Sequence, residues 1–371
     1  MGKTFEILEK NNLARVGKLR TKNGEINTPF FMPDATRGFV KLLSKGDLEK
    51  INLSPMVVNT YHLYLQPGME LIKKGGGIHK FMNWNGPLLS DSGGYQIFSL
   101  IHKNSKLGKI TDEKAVFKSP LDGRKHELTP EKSIQIQFDL GVDMMVVLDD
   151  VPPVTYSDRK MKVAIDRTIA WAKRCKIEYE KQIKERGISE DQRPLLFGVI
   201  QGGKNAALRK YCAEELVKLD FDGYGFGARH VDENGVFMQE MVAETAKMIP
   251  EDKLRFALGV GTPEDIVRFV ACGWDMFDCV IPTREGRHGR LFVWKEGELK
   301  DKDFYTTINI NNHKFNDDFS PVDETCDCEL CRNHSRAYLK HLFVSKDPLG
   351  MRLAAVHNLK FYLDLMKKIR G

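Results

Sequence analysis

Leu195-Leu196-Phe197-Gly198-Val199-Ile200, followed at once by Gln201-Gly202-Gly203, is the stretch on which the fold turns. Six apolar or small residues run together with no polar alternation. A strand with one wet face alternates, whereas a strand covered on both faces does not. The run therefore predicts a strand buried in a parallel sheet, ended by an amide and two glycines. The pattern recurs at residues 29–32 before Pro33-Asp34, 56–58 before Asn59-Thr60, 87–89 before Ser90-Asp91 and 144–148 before Asp149-Asp150. It recurs again at 221–226 before Gly227, 254–258 before Gly259 and 276–281 before Pro282-Thr283. Helical patterns lie between several of these runs. Residues 159–186 carry Val163, Ile165, Ile169 and Ala170, and 205–219 carry Leu208, Tyr211, Cys212 and Leu216. Thr262-Pro263-Glu264-Asp265 opens another helix with an N-cap, a proline and two acids. Eight strands separated by helices predict a (β/α)8 barrel, a fold whose site lies at the C-terminal strand ends. An open doubly wound sheet is the competing arrangement, but no GxGxxG follows the first strand.

Two parts read as additions. Residues 5–31 hold Asn23-Gly24 between short apolar stretches, a hairpin signal that suits a cap over the barrel bottom. Residues 291–351 interrupt the chain before a last helix at 352–369, which carries Leu353, Val356, Leu359, Phe361, Tyr362, Leu365 and Met366. The division is thus 1–290 with 352–371 as the barrel, and 291–351 as an inserted subdomain.

That insert contains Cys326-Asp327-Cys328-Glu329-Leu330-Cys331. Three thiolates and one imidazole complete a tetrahedral Zn²⁺ shell with no place for water, which marks a structural ion. His357 on the last helix is the expected fourth ligand, with His334 and His341 as rivals. Cys175, Cys212, Cys272 and Cys279 read as free thiols of a reducing compartment. With 371 residues, 42% hydrophobic and 29% charged, the chain has ample material for a large core. No apolar run nears the ~18 residues of a membrane span. The start, Met1-Gly2-Lys3-Thr4-Phe5-Glu6, has no secretory apolar region, so a cytoplasmic location is expected. A net charge of +6 permits a nucleic-acid partner without requiring one.

Three aspartates stand at strand ends: Asp91, Asp149 and Asp278. A carboxylate in so apolar a run is costly unless it faces a polar site. A carboxylate pair suits glycosidic chemistry, one attacking the anomeric carbon and the other handling the leaving group's proton. In Ser90-Asp91-Ser92-Gly93-Gly94-Tyr95-Gln96 the glycines admit a ligand to the backbone and Tyr95 offers a stacking ring. Gln201 beside bare backbone can read a purine edge together with a carboxylate. Arg284, Arg287 and Arg290 after the last strand suit phosphate contact.

At this point the chain resembles the tRNA-guanine transglycosylase (queuine tRNA-ribosyltransferase) family, in its bacterial single-subunit form. The resemblance is carried by Asn59-Thr60-Tyr61-His62-Leu63, the Ser90–Gln96 motif, Val199-Ile200-Gln201-Gly202-Gly203, Phe277-Asp278-Cys279-Val280-Ile281-Pro282-Thr283-Arg284, and the CxCxxC with His357, in family order. It implies a zinc-bearing TIM barrel, one structural zinc per subunit, and replacement of guanine at the wobble position of GUN-anticodon tRNAs by a 7-deazaguanine base. Those tRNAs are the ones for aspartate, asparagine, histidine and tyrosine. It implies Asp278 as nucleophile, Asp91 as general acid/base, and Asp149 with Gln201 reading the base between Tyr95 and Leu258. Ser92, Val151, Gly227, Ala228 and Arg229 would complete the base pocket, and Thr283, Arg284 and Arg287 would hold the RNA. It also implies a cytoplasmic homodimer using Tyr338 and His341. Two departures bear on the incoming base. Val151 replaces a usual cysteine, as in the eukaryotic catalytic subunit, and Ala228-Arg229 replace a usual Gly-Leu. A cationic Arg229 would disfavour the ammonium arm of 7-aminomethyl-7-deazaguanine (preQ1), which suggests queuine instead. A nucleoside or glycoside hydrolase, or a catalytically inert RNA-binding subunit, are the rival functions.

Overall fold

The computed structural model describes residues 4–153, 155–299 and 303–371. Met1-Gly2-Lys3 of the N-terminal reading and residues 300–302 of the insert lie outside it.

Eight strands form one parallel sheet: β1 (Phe30–Pro33), β2 (Met56–Val58), β3 (Leu88–Ser90), β4 (Met144–Val146), β5 (Leu195–Ile200), β6 (Gly223–Phe226), β7 (Leu254–Ala257) and β8 (Met276–Cys279). Their order follows the chain, and β8 returns to pair with β1 in the register Met32↔Asp278. The seam between β1 and β2 closes through one bridge, Asp34↔Val57, and the Ala35 N–H to Val57 carbonyl bond of 2.7 Å. The result is the expected (β/α)8 barrel. Its interior is dry: Met32, Val57, Leu89, Val146, Phe197, Val199, Phe256 and Met276 pack in one buried cluster. The strands are buried at every residue except Asp278 of β8, as the unbroken apolar runs require.

The main helices are α1 (Gly94–Lys103), α2 (Pro130–Leu140), α3 (Asp158–Arg186), α4 (Ala206–Val217), α5 (Gln239–Lys247), α6 (Pro263–Ala271), α7 (Ile281–Arg287) and α8 (Pro348–Arg370). Their starts are written in side chains. Thr129, Asn205 and Thr262 each accept a backbone N–H three residues on, at 3.0–3.3 Å, and α2 and α6 then open on proline. α8 begins one turn before the expected Arg352, because Asp347 caps it and Pro348 fits its first turn. The last apolar run also ends early. Val280 and Ile281 leave the strand to start α7, with Pro282 in the first turn.

The N-terminal extension is a three-stranded antiparallel sheet, Phe5–Asn11, Ala14–Thr21 and Gly24–Thr28, one strand more than a single hairpin. Phe5, Leu19 and Ile26 join the barrel's interior cluster from below, so the sheet is the plug of the barrel. Arg15 pins it. Its guanidinium donates to Asp275 at 2.8 and 2.5 Å and to the carbonyls of Glu251 and Lys253 at 2.6 Å each. A second small sheet, Gly108–Ile110, Ala115–Lys118 and Lys125–Leu128, lies between α1 and α2 and was not anticipated. The insert pairs Arg290–Trp294 with Tyr305–Asn309 and packs an apolar cluster around Leu291, Leu330 and Leu339 that takes in Leu353 and Ala354 of α8.

Arg15 and Asp275 are both withdrawn from water, so removing one strands the other's charge. Arg15→Ala is expected to cost about 3–5 kcal/mol of stability, read as a lower urea midpoint, while Lys10→Ala at the exposed Lys10–Glu251 pair should change little.

Candidate active site and metal centre

The barrel mouth holds a cavity of about 790 Å³. Asp91, Asp149 and Asp278 all line it, as do Gln201, Tyr95, Ser92, Val151, Gly227, Ala228, Arg229, Leu258 and Arg284. Asp91 follows β3 and is the best held. Its carboxylate accepts the backbone N–H groups of Thr60 (3.0 Å) and Gly93 (3.1 Å), the Gln96 amide (3.3 Å) and the Asn59 amide. Asn59 can only present nitrogen to Asp91, because its oxygen caps the next helix by accepting from His62 N–H at 3.0 Å. Gly93 has φ +78°, and a Cβ there would lie 3.0 Å from the Tyr61 nitrogen. The close approach at Gly93 is thus to the chain's own backbone at Tyr61, where the sequence reading expected a ligand.

Asp278 lies within β8 and accepts one bond, from Gly259 N–H at 2.8 Å. Asp149 is buried and accepts from the Gln201 amide at 2.7 Å. That amide lies directly over Gly227, where a Cβ would come within 2.5 Å of it. Desolvation raises all three carboxyls to about 7. For Asp91 the Thr60 N–H opposes the rise, and the charges of Asp34 and Asp278 add to it. For Asp149 the Gln201 amide opposes it and Asp150 adds to it. For Asp278 the Gly259 N–H opposes it and Asp34 adds. A site with such groups can both attack and transfer protons near neutral pH.

Tyr95 is 66% exposed at the rim, free to stack on a flat ligand. Ala228 has φ +146°, a strained value for any residue with a side chain. Arg229 is exposed on the cavity wall. Arg287 is half-buried on α7, and desolvation lowers its pKa while Asp34 opposes that. Thr283 is buried, and its hydroxyl turns back on the Val280 carbonyl at 3.2 Å. The structure therefore brings every expected base-pocket residue to one cavity, with Arg284 at its edge, and leaves Thr283 and Arg287 out of its lining.

Three contributors escaped the sequence reading. Asn59 was quoted only as part of a motif. Asp34 ends the first strand run and lines the same cavity. Arg209 lies beneath the floor, donating to the carbonyls of Gly203 (2.8 Å), Gly227 (3.1 Å) and Ile200 (3.3 Å) over the Phe226 ring. It ties the two glycine loops together, and desolvation lowers its pKa to about 10. Its signal was present: Arg209, Cys212, Ala213 and Leu216 share one buried helix face.

Cys326, Cys328, Cys331 and His357 bring their ligand atoms within 4.8 Å of one another. His357 Nδ1 lies 3.3 Å from Cys331 Sγ and 3.6 Å from Cys328 Sγ. Its Nε2 donates to the Phe292 carbonyl at 2.7 Å, which fixes the tautomer and turns the Nδ1 lone pair to the thiols. Four soft and borderline donors around one point could bind a metal ion. His334 instead stacks on Tyr338, at 4.9 Å between ring centres. Among the described residues no helix is long and apolar enough to cross a membrane.

A family model described as queuine tRNA-ribosyltransferase matches residues 10–371. The chain is 44% identical over 373 residues to the queuine tRNA-ribosyltransferase of Halothermothrix orenii, covering 100% of this chain and 94% of that one. It is 45% identical over 369 residues to the protein of the same name from Staphylococcus aureus, covering 99% of this chain and 91% of the relative.

The folded pKa of about 7 for Asp149 exceeds its ordinary value, so between about pH 4 and 7 the folded state holds more protons than the unfolded one. Stability from this group is fullest at acid pH and is lost as pH rises through 7. Asp149→Asn removes that loss. Its melting temperature relative to the parent is expected to rise by a few degrees from pH 4 to pH 8; a gap that narrows instead would contradict the assignment.

Proposed function

Because the chain belongs to the queuine tRNA-ribosyltransferase family, we propose the following roles for its residues. The protein is a pentosyltransferase that exchanges guanine in tRNA, in queuosine biosynthesis. This membership leaves the hydrolase and inert-subunit alternatives without support. The observation that carries the residue roles is the convergence of Asp91 and Asp278 on one cavity, both held near neutrality.

In the mechanism, the Asp278 carboxylate attacks ribose C1′ and the bond from C1′ to the guanine nitrogen breaks. Asp91, protonated, delivers its proton to the departing guanine, leaving an ester between Asp278 and the RNA. The incoming 7-deazaguanine base gives its proton to Asp91 and attacks C1′, and Asp278 leaves as a carboxylate. One glycosidic bond replaces another, so no nucleotide triphosphate is consumed. The single bond from Gly259 N–H leaves Asp278 less restrained than Asp91, which suits a nucleophile. Asp149 and Gln201 read the polar edge of the base, and Tyr95 and Leu258 close on its faces. Ser92, Val151, Gly227 and Ala228 shape the pocket. Arg284 and Arg287 hold the anticodon loop of GUN-anticodon tRNAs, which must swing the target base out, and Thr283 supports their turn from below. Val151 on the cavity wall supports queuine over preQ1, whereas Arg229 separates them little, since both bases carry an amine on the 7-substituent.

The thiol-rich, closed donor set suits Zn²⁺ in a structural role, held by Cys326, Cys328, Cys331 and His357. With it goes the proposed division into a barrel (1–290 with 352–371) and a metal-binding insert (291–351), tied together by His357 on α8. A homodimer is supported by Tyr338 and His341, exposed on the helix Arg336–Val344. A cytoplasmic location fits four free buried thiols.

Purified protein incubated with an unmodified GUN-anticodon transcript and radiolabelled guanine is expected to place label in acid-precipitable RNA. Asp278→Ala should reduce this to background and Asp91→Asn by about 10²–10⁴-fold. Incorporation that survives in Asp278→Ala would overturn the mechanism. Unlabelled queuine should compete better than preQ1; competition by preQ1 with queuine inert would reverse the base assignment. The pH profile of kcat/KM should be bell-shaped and centred near 7, since Asp278 must be ionised while Asp91 is protonated.

Metal analysis separates the histidines. His357→Ala is expected to lose the ion and melt lower, while His341→Ala keeps both; loss confined to His341→Ala would move the ligand.

A further inference from the structure

Asp34 stands one residue beyond β1, at the seam where the barrel closes. On one side β1 pairs with β8, with Met32 opposite Asp278 and Pro33 opposite Cys279. On the other side Asp34 itself bridges Val57 of β2, and Asn59, which holds Asp91, donates its backbone N–H to Thr36 at 3.2 Å. Asp34 therefore occupies the strand between the one that carries Asp278 and the one that supports Asp91. Met32 packs inside the barrel beside Met276. Residues two apart on a strand share a face, so Asp34 rises into the mouth one layer above Asp278, and it lines the cavity there. Thr36 donates its hydroxyl to one carboxylate oxygen. Among the described residues the other oxygen has no hydrogen-bond donor. The charge of Asp34 acts on Asp91, Asp278, His62 and Arg287; Arg37 faces the same His62, and Arg284 the same Arg287.

We propose that Asp34 reads the 2′-hydroxyl of the ribose whose base is exchanged, and is the residue that selects ribose over deoxyribose at this site. The proposal rests on Asp278 being the nucleophile at C1′. With C1′ within reach of Asp278, C2′ is one bond away and its hydroxyl oxygen two, and Asp34 on the neighbouring strand β1 is placed to meet that oxygen. The 3′ and 5′ oxygens of an internal nucleotide are esterified to phosphate, so the 2′-hydroxyl is the only donor the sugar offers. A carboxylate with one oxygen free accepts such a donor strongly. In glycosidic chemistry a hydrogen bond to this hydroxyl tightens as positive charge builds at the anomeric carbon. The same carboxylate repels phosphate, which leaves the RNA backbone to Arg284 and Arg287 at the rim.

The test is a cycle of sugar and side chain. Transcripts carrying guanosine or 2′-deoxyguanosine at the target position are compared with the parent enzyme, Asp34→Ala and Asp34→Asn. The parent is expected to lose roughly 10- to 100-fold in kcat/KM on the deoxy substrate, chiefly in kcat. Asp34→Ala should lose a similar factor on the ribo substrate and then show little further loss on the deoxy one. Losses that simply multiply would overturn the proposal, as would a parent enzyme indifferent to the sugar. Asp34→Asn keeps an acceptor for Thr36, so the same non-additivity can be read there should the alanine variant fold poorly. Denaturing gels of the RNA–enzyme adduct report separately on Asp278: an adduct that persists in Asp278→Ala sinks the underlying mechanism, whereas an adduct lost there with multiplicative Asp34 effects sinks only the role of Asp34.

Discussion

Everything at the barrel mouth depends on carboxylates being taken out of water with few donors to compensate. Among the described residues Asp278 has one hydrogen bond and Asp149 has one, and each is raised to about 7. Asp91 has four and is also raised to about 7, by desolvation first, with the charges of Asp34 and Asp278 adding to it. In each case a balance is struck between lost hydration and the donors that remain. The donors that set those balances come from strand ends and from glycine-bearing loops, so the chemistry is inseparable from the strand order that gathers them.

The scaffold beneath is built to keep that mouth fixed. The interior is filled by apolar side chains and plugged from below by Phe5, Leu19 and Ile26. Arg15 locks the plug to the start of β8 through Asp275. At the upper end Arg209 gathers three carbonyls that would otherwise point into apolar packing. Its cost is a cation in a dry place, which its lowered pKa records. A buried arginine under a ligand pocket is a strut for loops whose glycines contribute no side-chain packing of their own.

Most of this was legible in the chain, for physical reasons that can be named. Strands buried on both faces leave unbroken apolar runs, so β2 and β5 could be read with their bounds. Helix caps are local, so Thr262 announced its helix. CxCxxC is a local motif, and His357 sat on a helix whose apolar face was already evident. What stayed hidden was long-range. Asp34 looked like strand-end punctuation because nothing local says that its strand lies between those of Asp278 and Asn59. Arg209 was passed over because a charged residue on an apolar helix face has a partner only in three dimensions. Thr283 lay in the right motif but beneath the turn, since Pro282 starts α7 earlier than an extended run would allow. The small sheet at 108–128 carries short, half-polar strands that give no clear period.

Neighbouring residues of α8 serve two separate ends. His357 faces the thiols, while Asn358 donates to the carbonyls of Pro282 and Arg290 and accepts from Phe292 N–H, bracketing α7 with its arginines. Successive helical residues differ by about 100° around the axis, so one rotational phase of α8 satisfies both. Gly286 fixes the distance as well, for a Cβ there would lie 2.8 Å from the backbone of Ala354. A single inserted or deleted residue between Asp347 and His357 would turn both side chains away at once. The length of this helix before His357 is locked, and the same count of residues that gathers the four candidate ligands also sets the edge on which the RNA is expected to rest.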